Sequence, residues 1–263
     1  MGNPNFPKLE KENLEWLKNH LDGDAIITLK IWKSTFNARR SILHTGQTIQ
    51  DYYKSFPCLR TALGAELLLW DFSQLHPGKE NILFDRLECI RNHLIKRLKN
   101  CRNIKSIPDQ AYVHLLDTLL IHNQDGIILY LLPYVIDPPK VTKKRMNNNV
   151  ESSHDHKISI QEHRDSFLLH VESAVQIDAS LQSLKENLRK AGLTLQPIPV
   201  FVGPLAAIEA TYVAVDDVLY KVDSALHAVN LCFSIYFALE AAYPQRSASL
   251  WRFLQISGYD IKL

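Results

Sequence analysis

Apolar residues fall on almost every side of the stretch 225–243, where Leu226, Val229, Leu231, Phe233, Ile235, Phe237, Leu239 and Tyr243 stand among few charges. A helix apolar all round is a buried helix, and other elements must cover it. Upstream, the segments 195–204 and 210–222 are rich in Val, Tyr and Phe. They are cut by Gly203-Pro204 and Asp216-Asp217, which is the composition of short strands joined by turns. Asp216-Asp217 lies between two apolar runs and predicts a tight hairpin. The buried helix and these strands are expected to form the main C-terminal core.

The rest of the pattern is mostly helical. Apolar spacing predicts helices over 9–21, 26–43, 49–56, 62–75, 81–99 and 110–121, with Thr48 as the cap of the third and His76-Pro77-Gly78 as the stop of the fourth. Arg39-Arg40 falls near the end of the second, where cations suit the helix dipole. In the helix over 81–99, Leu83, Leu87, Ile90, Leu94 and Leu98 face inward, and Arg86, Arg91, Lys96, Arg97 and Lys99 occupy the other face. The run 127–135 fits a strand or a buried helix equally well. Residues 166–171 read as a strand. Asp178 is placed to cap a helix with Leu181, Leu184 and Leu188 inward, and Gly192 to stop it. Asp223 or Ser224 caps the buried helix, and Ser247 caps a last one closed by Gly258.

Between Pro138 and Lys157 the composition changes to Pro, Lys, Asn, Ser and His, with almost nothing to bury. A flexible linker is expected there, dividing a helical module over 1–137 from an α+β module over 158–263. The predicted class is α+β, with a helical N-terminal module followed by a small antiparallel sheet packed with long helices.

Composition narrows this only a little. The chain has 263 residues, 46% of them apolar, and a net charge of +2, which suits a globular protein and implies no acidic partner by itself. Cys58, Cys89, Cys101 and Cys232 show no paired spacing, so a reduced, intracellular protein of cytoplasm or nucleus is expected. The first residues are too polar for a signal peptide, and the run 225–243 holds His227, Asn230, Ser234 and Glu240, which argues against a membrane span.

Candidate chemistry is sparse. No Walker A, G-x-G-x-x-G, G-x-S-x-G or H-E-x-x-H occurs, so no cofactor and no catalytic residue is expected. His154, His156 and His163 beside Asp155 have ligand-like spacing, but the first two lie in the expected linker, and a polar linker explains them without a metal. Adjacent Asp216 and Asp217 are explained by the turn. Arg91, Lys96, Arg97, Lys99, Arg102 and Lys105 put six cations in fifteen residues, a pattern that binds phosphate without sequence choice. A solvated helix face explains the same pattern, and the interleaved aromatics of single-strand binders are missing.

Several short motifs carry a family likeness. They are Trp32 with Arg39-Arg40, Phe56-Pro57-Cys58-Leu59, Asp71-Phe72, the run from Asp165 to Val171, Gln196-Pro197, Val202-Gly203, Tyr212-Val213, Tyr220, Phe233, Tyr243-Pro244 and the run from Trp251 to Gln255. In this order they resemble the C-terminal region of sterile alpha motif domain-containing protein 3-like proteins and related transposon-associated proteins. The chain departs from the fuller members in having no preceding sterile alpha motif or zinc-finger segment. The resemblance implies a companion module spread by a mobile element, and brings no catalytic residue with it. The expected function is a non-enzymatic protein–protein interaction or scaffold module with an unidentified protein partner. The alternative is a nucleic-acid-associated protein of mobile-element origin that uses the basic helix 91–105.

Overall fold

Eight α-helices come first in the computed structural model, which describes residues 7–147 and 150–262. They are α1 (Lys8–Asn19), α2 (Ala25–Ser34), α3 (Phe36–Leu43), α4 (Ile49–Ser55), α5 (Gly64–Leu75), α6 (Ile82–Lys99), α7 (Ile107–Leu115) and α8 (Ile121–Leu131). A hairpin of β1 (Val141–Asn147) and β2 (Val150–His156) follows, then α9 (Ile160–Asp165), β3 (Leu169–Val171) and α10 (Ile177–Lys190). The chain ends with β4 (Ile198–Val202), β5 (Ala210–Val215), β6 (Val218–Val222), α11 (Ala225–Ala238) and α12 (Ala248–Phe253), the last running into a π-helical turn over Leu254–Gly258. The class is α+β. Among the described residues no helix is long and apolar enough to cross a membrane.

Side-chain caps fix most helix starts. Asp24 accepts from the backbone N–H groups of Ile26 and Ile27, and Thr48, Ser106 and Ser224 do the same for α4, α7 and α11. The helix expected over 26–43 is in fact two. It breaks at Thr35, whose hydroxyl donates to the carbonyls of Ile31 and Trp32 and competes with the helical ladder. The ambiguous run 127–135 is a buried helix end plus a 3-10 turn. Asp178 lies inside the first turn of α10 rather than at its cap, because a 3-10 turn closed by Ser173 and Gln176 precedes it.

The four-stranded sheet has the order β3-β4-β5-β6. It is mixed, not antiparallel as expected: β3 pairs parallel to β4, with Leu169 opposite Val200 and Val171 opposite Val202. The reason is connectivity, since α10 carries the chain back across the sheet before β4 begins. The predicted hairpin between β5 and β6 is present, with Val215 opposite Val218 and Asp216 at φ 52°. Strand alternation splits the sheet between two cores. Val171, Val200 and Val202 pack under α10, while Phe201, Val213 and Val215 join the main core.

Twelve of the 14 residues of α11 are buried, and its most extensive contact is with α5, ahead of β4, β5 and α8. Phe72 of α5 meets Phe233, Phe237 and Tyr259 at ring distances of 5.9, 5.8 and 6.0 Å. One apolar cluster thus runs from Leu14 through Phe72 and Ile128 to Phe233 and Tyr259. The expected division into modules over 1–137 and 158–263 is not a break in the core. Neither half covers α11 alone. The segment expected as a linker over 138–157 contains the β1–β2 hairpin, registered from Val141 opposite His156 to Asn147 opposite Val150. Ladder hydrogen bonds satisfy backbone donors and acceptors without apolar content, which is why composition gave no sign of it. Residues 148–149 of that segment lie outside the described residues.

Candidate functional site

Helix α11 ends at Leu239, where Glu240 takes φ 52° and turns the chain away. Arg40 reaches this end from α3. Its Nη1 donates to the carbonyls of Phe237 and Ala238 at 3.2 and 3.1 Å, a cation at the negative end of the helix dipole. Glu240 bonds the other arm of Arg40 and meets His44 Nδ1 at 3.0 Å. Arg40 was expected to serve its own helix end; it caps a different helix.

A groove of about 480 Å³ opens beside this end, with Leu75, Tyr236, Phe237, Ala241, Ala242 and Tyr243 as its apolar lining. Arg40, His76, Glu240 and Gln255 supply its polar groups. The small pair Ala241-Ala242 between bulky Tyr236 and Tyr243 leaves the depression. Its walls are held in place. Tyr236 donates to the carbonyl of Pro197 at 2.6 Å, Tyr243 to Gln255 Oε1 at 3.0 Å, and Gln255 in turn to the carbonyl of Lys262 at 3.1 Å. Burial raises the phenol of Tyr243 above its ordinary value and keeps it a donor. His76 lies edge-on to Phe237 at 4.7 Å, and burial, aided by Lys79, lowers its pKa, so it presents a neutral imidazole near pH 7. These groups suit binding of an apolar side chain with a few polar contacts at the rim.

The sequence-predicted cations are dispersed. Arg91 is buried, not outward, and its Nη2 meets Asp125 Oδ1 at 2.7 Å. Its position follows from spacing: Arg91 is four after Leu87 and three before Leu94, on the inward stripe. Lys99 pairs with Asp117, while Lys96, Arg97, Arg102 and Lys105 are exposed. Lys96 and Arg97 flank a shallow depression of about 390 Å³ with Tyr134. The six do not form one unpaired strip.

His163 is fully buried, with Nδ1 2.6 Å from the carbonyl of Arg246, and the side chains of His154 and His156 lie outside the described residues. Among the described residues no cluster of three or more His, Cys, Asp or Glu is placed to hold a metal. Asp217 pairs with Arg60 at 2.7 Å and Asp216 meets Lys185 at 3.7 Å, which fits the turn reading. All four cysteines are free, and burial pushes the Cys58 thiol up to about 11.

Besides Arg91 and Asp125, two further buried ion pairs escaped the sequence reading. Arg39 grips Asp71 in bidentate fashion at 2.6 and 2.7 Å, beneath Trp32, whose Nε1 donates to the same carboxylate at 2.9 Å. Arg164 meets Asp109 at 2.7 Å and lies over the Tyr130 ring at 3.9 Å. Both hold helices together rather than open onto the groove. Comparison with family models, curated proteins and solved structures found no match to this chain.

Burial of His163 has a consequence for pH. Burial lowers its folded pKa below the ordinary value near 6.5. The unfolded chain therefore takes up the proton first, so stability is full above about pH 6.5 and falls as pH drops below it. The urea midpoint is expected to fall between pH 7.5 and 5.5 by more in the wild type than in His163→Asn. Equal slopes would remove His163 from the account.

Proposed function

We propose that the chain is a non-enzymatic interaction module that takes an apolar side chain of a partner polypeptide into the groove at the end of α11. The supporting observation is the apolar floor of Leu75, Phe237, Ala241 and Tyr243 ringed by Arg40, His76, Glu240 and Gln255. Interfaces are built this way, with a desolvated apolar centre and a polar rim. The likeness to sterile alpha motif domain-containing protein 3-like proteins, read as a companion module, agrees with this reading. The nucleic-acid alternative retains four exposed cations, Lys96, Arg97, Arg102 and Lys105, but loses Arg91 and Lys99 to ion pairs.

Ala242 is exposed at the groove, so Ala242→Trp fills it without disturbing the core. Affinity capture with the intact chain is expected to retain a polypeptide that survives nuclease treatment and is lost, at least tenfold, with Ala242→Trp. Capture that depends on nucleic acid and falls with rising salt would favour the alternative instead. Equal capture by both chains would reject the groove.

A further inference from the structure

A second groove, of about 650 Å³, runs between β3 and α10 on the opposite side of the sheet from α11. β3 is an edge strand: it pairs with β4 on one side and has no strand on the other among the described residues. Unpaired strand edges invite an added strand, and a groove beside such an edge gives its side chains a place to go. Here the α10 wall is low, because Ala179, Ser180 and Ser183 face the groove where longer side chains would fill it.

The edge is bounded. After Val171, whose carbonyl accepts from Gly203 N–H at 2.9 Å, the next two N–H groups of Glu172 and Ser173 donate to Gln176 Oε1 at 3.0 and 3.3 Å. Within β3, Leu169 and Val171 turn their backbone groups toward β4, and Leu168 N–H donates to the carbonyl of Arg164, so the N–H and C=O of His170 are what the open edge presents to a short added segment. Just beyond, Val175 is 91% exposed. The charged groups lining the groove are Asp165 and Glu172, with His170 between them in sequence and no Lys or Arg. Burial raises the Asp165 carboxyl above its ordinary value, and a cation placed beside it relieves that cost.

We propose that this groove binds a basic, extended segment of a partner polypeptide as a strand added to β3. Main-chain hydrogen bonds to His170 set the register of the segment, small side chains of α10 leave room for every second residue, and the two carboxylates select Lys or Arg. The surface is separate from the groove at the end of α11 and does not depend on its function.

The test titrates the intact chain against three fluorescein-labelled peptides: alternating Val and Lys, alternating Val and Glu, and the Val/Lys peptide N-methylated at alternate backbone amides. Fluorescence anisotropy should detect binding of the first only, with the other two at least tenfold weaker. Ser183→Trp, at an exposed α10 position, should reduce binding at least tenfold, and Glu172→Lys, at an exposed strand end, should weaken the Val/Lys peptide without changing the urea midpoint. No binding of the Val/Lys peptide, or equal binding by its N-methylated form or by Ser183→Trp, would overturn the proposal. So would light scattering that shows a wild-type dimer broken by Ser183→Trp, since the occupant would then be a second copy.

Discussion

Asp71→Ala is expected to cost about 3–5 kcal/mol, because it leaves Arg39 charged and fully buried without its counter-ion. The Arg39 side chain is 0% exposed and Asp71 1%, so water does not replace the lost carboxylate. What remains for the guanidinium is the Thr35 hydroxyl at 3.3 Å, the Tyr52 hydroxyl at 3.2 Å, the carbonyl of Trp32 at 3.0 Å and the Trp32 ring at 3.4 Å. None of these carries a full negative charge. Burial lifts the Asp71 carboxyl above its ordinary value and Arg39 opposes that lift, so the two groups are stable only as a unit. Removing both is therefore expected to be milder than removing one. Arg39→Met with Asp71→Leu should recover much of the loss in urea midpoint, since an apolar pair of similar volume avoids the desolvation cost. A single Asp71→Ala variant within about 1 kcal/mol of wild type, the range of exposed pairs, would show that the site admits water.

This pair also marks where sequence reading stops. Helices announced themselves through local signals: Thr48 before 49–55, Pro77-Gly78 after α5, Ser224 before α11, and the Asp216-Asp217 turn between β5 and β6. Each depends on neighbours within a few residues. Arg39 and Asp71 are 32 apart, and Arg91 and Asp125 are 34 apart, so no spacing rule connects them. The sequence could still have placed Arg91 inward, because its position falls on the stripe of Leu87, Leu94 and Leu98. The groove at the end of α11 carried no catalytic or binding motif, although Arg40, Tyr243 and Gln255 stand in motifs read for family likeness. It is assembled from Arg40 of α3, the end of α5, the end of α11 and Gln255, which meet only when the core forms. The parallel pairing of β3 was hidden for the same reason, since a three-residue strand shows no alternation to read.

Phe233→Ala is expected to cost about 3–5 kcal/mol, the range for truncating a buried aromatic. The ring is fully buried, stacked on Tyr259 with centroids 3.7 Å apart and planes 6° apart, and edge-on to Phe72 at 5.9 Å. Phe233 and Phe237 share a face of α11, as their spacing of four requires, and their rings lie 5.0 Å apart. That face does not pack on the sheet, as the strand-rich neighbourhood suggests, but on α5 and the C-terminal Tyr259. The substitution therefore removes contacts between the first and last thirds of the chain. Asp217→Asn is the matched comparison. It weakens an ion pair with Arg60 whose Asp217 side chain is 61% exposed, and is expected to cost less than about 1 kcal/mol. Urea unfolding read by far-ultraviolet circular dichroism and by tryptophan fluorescence tests both the magnitude and the reach of the effect. Trp32 reports on the N-terminal helices and Trp251 on α12, and both are buried in the shared core. The two signals are expected to shift together to lower urea in Phe233→Ala and to stay coincident. Separate transitions, with only one moved by the substitution, would mean that α11 stabilises one part of the chain and not the whole.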